Sequence, residues 1–116
     1  MKDFIFNSCD ICTNPNEIKG GYKRFSFEIH TAYNGNAWVI GYDANTPTSG
    51  IGSGASRNDK KNYSCEQEAI EAAAKVLLQF FQKEEKNGMN IPSQIFSQLK
   101  ELCGPPKPIQ LTLFNF

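Results

Sequence analysis

An α+β domain, with a small antiparallel sheet of about three strands packed against one long and one short helix, is predicted by three observations. Phe25, Phe27, Ile29, Thr31 and Tyr33 alternate with Ser26, Glu28, His30 and Ala32, the two-residue period of a strand with one buried face. Asn34-Gly35 follows, and both residues tolerate the positive φ of a tight hairpin. Farther along, Ile70, Ala73, Leu77 and Phe80, joined by Val76 and Phe81, recur at helical spacing. Strands followed by helices place the helices together on one side of the sheet.

Each element has its own local justification. Phe4, Ile5 and Phe6 form a short apolar run that serves as a strand or as an extension anchored in the core, and Asn14-Pro15-Asn16 and Gly20-Gly21 then mark loops. The first clear strand runs from Tyr22 to Tyr33. The second covers Ala37 to Tyr42, with Trp38, Ile40 and Tyr42 on one face. Gly50-Ile51-Gly52-Ser53-Gly54 reads as a glycine-rich third strand or a loop. Its spaced glycines could approach a phosphate, but no helix starts there and no Gly-Lys-Ser/Thr follows, which argues against a phosphate loop. Ser64 is the expected cap of the long helix with Gln67 as its capping-box partner, and Glu66 and Glu68 suit the helix's positive end. That helix should run to about Glu85 and end near Asn87-Gly88. A shorter one should begin after Ile91-Pro92-Ser93, bury Ile95, Phe96, Leu99 and Leu102, and stop at Gly104-Pro105-Pro106.

A chain of 116 residues supports one core, so residues 1–104 are read as a single domain and residues 105–116 as a proline-rich spacer with a terminal peptide. Twelve acidic and twelve basic residues cancel, which removes the strong global field of an avid nucleic-acid or membrane binder. Lys19, Lys23, Arg24, Arg57, Lys60 and Lys61 outnumber the acids between them, so a mildly basic sheet side and a mildly acidic helix side are expected. Lys23, Arg24, Arg57, Lys60 and Lys61 are the candidate nucleic-acid contacts. Tyr22, Tyr33, Trp38 and Tyr42 either stack on bases beside them or fill the core under the long helix.

No stretch approaches the eighteen or so apolar residues of a membrane span, and Met1-Lys2-Asp3-Phe4 does not begin a signal peptide. A cytoplasmic protein with no membrane partner is expected, and its cysteines should be reduced. Cys9-Asp10-Ile11-Cys12 supplies the metal-ligand candidates Cys9 and Cys12, but no second pair follows and Cys65 and Cys103 stand alone. Turn residues Thr13-Asn14-Pro15-Asn16 take the place of the helix that a redox pair would need, so unliganded thiols and no cofactor are expected. His30, the single histidine, falls on the polar side of its strand. Glu28 and Asp43 are the carboxylates the hairpin could bring together, yet no catalytic motif accompanies them. A non-enzymatic chain with no catalytic residues is expected.

The tail carries the most specific signal. Pro105, Pro106 and Pro108 favour an extended path ahead of Gln110-Leu111-Thr112-Leu113-Phe114. This pentapeptide resembles the Gln-Leu-x-Leu-Phe motif by which bacterial replication and repair proteins dock on the β sliding clamp. The resemblance implies that Leu111, Leu113 and Phe114 anchor in a pocket while Gln110 sets direction. Alternatively, Ile109, Leu111 and Leu113 alternate as a final strand of the protein's own sheet. The stretch from Tyr22 to Phe81 is similar in element order to the second half of a double-stranded-RNA-binding domain. Glu66 and Glu68 stand where that family places phosphate-binding lysines, so only topology is carried over. The expectation is an accessory protein of bacterial or phage DNA metabolism, recruited to the clamp. An inhibitor of a host defence nuclease, of the anti-CRISPR or anti-restriction type, acting through its folded surface is the first alternative. A nucleic-acid-binding module built on the hairpin and the 57–61 loop is the second.

Overall fold

The computed structural model describes residues 2–104. Its sheet contains β1 (Asn16–Tyr22), β2 (Phe25–Tyr33), β3 (Trp38–Asn45) and β4 (Gly50–Ser53), followed by the helices α1 (Glu66–Lys86) and α2 (Ser93–Leu102). The strands form an antiparallel meander in the order β1-β2-β3-β4. The α+β class, the hairpin and both helices agree with the sequence, and the glycine-rich stretch is a strand. The strand count does not: there are four among the described residues, because Asn16–Tyr22 pairs with β2 where loops were expected.

Why β1 forms there is a matter of packing. Its inward face places Gly20 directly opposite Phe27. A Cβ at Gly20 would lie 2.3 Å from the Phe27 ring and 2.7 Å from Gln98 Oε1, so the missing side chain is the space those groups occupy. The neighbouring Gly21 donates its N–H to Gln98 Oε1 at 2.9 Å and accepts from Gln98 Nε2 at 3.2 Å. A side-chain amide from α2 thereby satisfies both backbone groups, as an adjacent strand would. The β1–β2 turn is Lys23-Arg24, and Lys23 adopts φ 56. A lysine is an unusual occupant of that left-handed region, which hides the turn from sequence rules.

Both helices cover the face formed by Ile18, Phe27, Ile29, Ile40 and Ala44. Ala69, Ala73, Ala74, Leu77 and Phe81 bury the underside of α1, and Ile95 and Leu99 that of α2. Alanines at three of these positions bring α1 close to the sheet, so the larger Leu77 and Phe81 fill the remaining space. Tyr42 and Trp38 pack against this core, as the packing alternative for the hairpin aromatics required. Tyr22 remains exposed.

On the opposite face a second cluster joins Cys12, Ala32, Val39 and Ala55, with Phe4 and Phe6 laid over it. The amino-terminal run is therefore a core-anchored extension, held by one isolated pairing between Phe6 and Cys12. Asn14 fixes it by accepting from Ile5 N–H at 2.7 Å and donating to the Asp3 carbonyl at 2.9 Å.

Three polar ties join the layers. Gln98 to Gly21 is one. Glu66 Oε2 accepts from Thr31 Oγ1 and Asn16 Nδ2, both at 2.7 Å, which supplies the buried Thr31 hydroxyl with a partner. Ser49 Oγ donates to Glu84 Oε1 at 2.7 Å, binding the β3–β4 turn to the far end of α1. The expected cap of α1 is shifted by one residue. Cys65 is the N-cap and makes no side-chain capping bond, while Ser64 instead directs its N–H and hydroxyl to Glu68 Oε1 at 3.3 and 2.8 Å. The other end behaves as expected, with Asn87 as C-cap and Gly88 at φ 103.

Two substitutions test the β1–α2 contact by urea denaturation. Gln98→Ala leaves Gly21 N–H and C=O without their partner and should lower unfolding free energy by about 1–3 kcal/mol. Gly20→Ala should cost a similar amount, about 1–3 kcal/mol, by forcing Phe27 or Gln98 aside. An unchanged midpoint for both would show that this contact does not hold β1 in place.

Candidate functional site

The face of the sheet away from the helices is only partly covered. Where the amino-terminal segment stops, the ladder presents Glu17 and Lys19 from β1, Glu28 and His30 from β2, and Asp43 from β3. The register sets Glu17 opposite His30, Lys19 opposite Glu28, and Glu28 opposite Asp43. Residues opposed in an antiparallel ladder share a face, so these side chains become neighbours as a direct result of strand pairing.

At the centre, His30 Nε2 lies 3.1 Å from Glu28 Oε1 and 3.7 Å from Glu17 Oε2. One ligating atom from each of Glu17, Glu28 and His30 falls within 4.8 Å of the other two. The His30 side chain retains 22% of its accessible surface, so the group is sheltered yet open to solvent. Lys19 Nζ, 3.8 Å from Glu17 Oε1, partly balances the carboxylates. Across the ladder from His30 stands Gly41. A Cβ there would lie 2.6 Å from Ala55 N and 2.7 Å from Ser53 O, because the chain leaving β4 crosses directly over this glycine. That crossing walls one side of the group.

Three carboxylates beside one lysine make this face acidic. The expected basic sheet side therefore does not form, because β1 adds Glu17 and the other cations sit elsewhere. Lys23 and Arg24 occupy the β1–β2 turn, whereas the Arg57 carbonyl accepts from Asn34 in the β2–β3 hairpin. Those two ends of β2 are roughly 30 Å apart. Arg57 is further engaged by Asp10 at 3.1 Å and lies 4.8 Å from the centre of the Phe6 ring. Lys60 and Lys61 are exposed on the segment before α1. Lys23 and Arg24 are thus separated from Arg57 by the length of β2.

Lys61 also borders a groove of about 470 Å³ between α1 and the β3–β4 side, with Tyr42, Tyr63 and Lys75 on its walls. Burial, and then the Asp59 carboxylate, push the Tyr63 phenol above its ordinary value. Burial likewise raises the Cys103 thiol, with Lys75 opposing and Glu71 reinforcing the change. Cys9 is exposed, while Cys12 is buried beneath Phe4 and Phe6 with its Sγ 3.4 Å from Asn14 Oδ1. Neither belongs to a ligand cluster among the described residues.

Gln110, Leu111, Leu113 and Phe114 lie outside the described residues. Comparison of the chain with protein-family models, with curated proteins and with solved structures finds no match. Glu17 is the member of the sheet cluster that sequence reasoning missed. The signal was the Glu17-Ile18-Lys19 alternation, which two following glycines disguised as a loop.

The cysteine environments give an ordered chemical outcome. Brief alkylation of the native protein followed by peptide mass spectrometry should modify the exposed Cys9 and Cys65 well before the buried Cys12. Equal rates at Cys9 and Cys12 would contradict the burial of Cys12 under the amino-terminal segment.

Proposed function

We propose that this chain is a non-enzymatic accessory protein of bacterial or phage DNA metabolism, carried to the β sliding clamp by Gln110-Leu111-Thr112-Leu113-Phe114. The observation that carries the reading is the pentapeptide itself, set behind Pro105, Pro106 and Pro108. An extended segment with its path restricted in advance loses less entropy on docking, and its apolar side chains supply the affinity. Support also comes from the body. Its largest fully buried side chains, Phe81, Ile29, Leu77, Ile95, Leu99 and Val39, pack in two clusters drawn from residues 4–103. Separation of Lys23 and Arg24 from Arg57 by the length of β2 favours a protein partner over a nucleic acid, which rewards one continuous cationic track.

The test is binding of purified clamp to the intact chain and to a Leu113→Ala, Phe114→Ala double variant. Burial of each anchor is worth about 1.5–3 kcal/mol, so loss of both should weaken binding by roughly 100-fold or more. Equal binding by the two proteins, or none by either, removes the reading.

A further inference from the structure

We propose that Glu17, Glu28 and His30 form a binding site for a first-row divalent metal ion of borderline hardness, with zinc as its best fit. Three features of the sheet's open face lead there. The donor set combines one imidazole with two carboxylates, which suits zinc better than magnesium or calcium, since those ions favour all-oxygen shells. Zinc holds nitrogen and oxygen ligands at about 2.0–2.2 Å, so neighbouring ligands of a tetrahedral ion stand roughly 3.4 Å apart. The His30 nitrogen lies 3.1 and 3.7 Å from its two carboxylate oxygens, on either side of that value.

The second feature is rigidity. Glu17 and His30 are paired across β1 and β2, and Glu28 is two residues from His30 on the same strand and face. All three backbone positions are fixed by one hydrogen-bonded ladder, so a metal would have to order only side chains. Charge is the third. Glu17, Glu28 and Asp43 face one lysine, Lys19, along this part of the ladder. A divalent cation at the imidazole would offset the excess that the lysine leaves.

Binding has a defined proton balance. Zinc takes the Nε2 lone pair, so the neutral ring must carry its proton on Nδ1, and any proton held between Nε2 and Glu28 is released to solvent. Three protein ligands leave a fourth position for water. The site does not depend on the carboxy-terminal peptide, so it stands or falls separately from clamp docking.

The experiment is titration of the intact chain with zinc chloride, followed by calorimetry and by the ring signals of the imidazole. Because the chain has one histidine, those signals report this site alone. Saturable binding of one zinc per chain with a shift of the His30 ring resonances is expected. His30→Gln should weaken affinity at least about 100-fold, and Glu17→Gln or Glu28→Gln about 10-fold or more. A Cys9→Ser, Cys12→Ser variant should bind as the unaltered protein does, and magnesium should fail to compete. The proposal is overturned if millimolar zinc leaves the histidine signals of the unaltered chain unmoved. It is equally overturned if the cysteine variant loses the zinc that His30→Gln retains, which would assign the metal to the thiols. The ring signals are read on the unaltered protein, so the outcome does not depend on any variant folding.

Discussion

The empty space at Gly20 is the constraint on which the rest of this molecule turns. Because no side chain stands there, the Phe27 ring and the Gln98 amide can both lie against β1, the first from the next strand and the second from α2. One position thereby binds the sheet to its second helix. It also holds β1 in the register that sets Ile18 over the core and Glu17 beside His30. A larger residue there would force Phe27 or Gln98 aside and loosen the hold of α2 on the strand.

Packing and polar bonding divide the labour. The apolar contacts beneath α1 are non-directional and would tolerate small slides of the helix along the sheet. Glu66 at one end and Glu84 at the other remove that freedom, because each accepts a short hydrogen bond from a strand or turn residue. Glu66 also sits in the first turn, where the amide dipoles favour its charge. The same carboxylate serves the helix end, the Thr31 hydroxyl and the Asn16 amide, a concentration of roles that ties the start of α1 to β1 and β2.

What could be read from the sequence follows from where periodicity survives. β2 and β3 alternate cleanly, and α1 and α2 repeat their apolar residues at helical spacing, so the class, the hairpin and the helices were legible. β1 was not, because it offers the core only Ile18 beside a glycine chosen for close approach, and glycine pairs otherwise announce loops. The shifted cap at α1 has a similar origin, since Ser64 and Glu68 do bond but enclose Cys65 as the boundary residue. Loss of β1 from the sequence reading removed Glu17 with it. His30 therefore looked like a solitary surface residue, although strand pairing sets Glu17 beside it in addition to Glu28 of its own strand.

Gln98 has a further consequence for how this molecule meets copies of itself. A sheet is extended when a foreign strand finds free amide and carbonyl groups along its border. At Gly21 both groups are already committed to a side chain of the same molecule, so an incoming strand would find that rung taken and α2 standing beside it. The far border belongs to β4, only four residues long and half glycine. Its brevity limits what can be gained by pairing there. Strand-by-strand polymerisation is thus discouraged at one border by occupancy, added to the exposed charges of Glu17 and Lys19, and at the other by shortness.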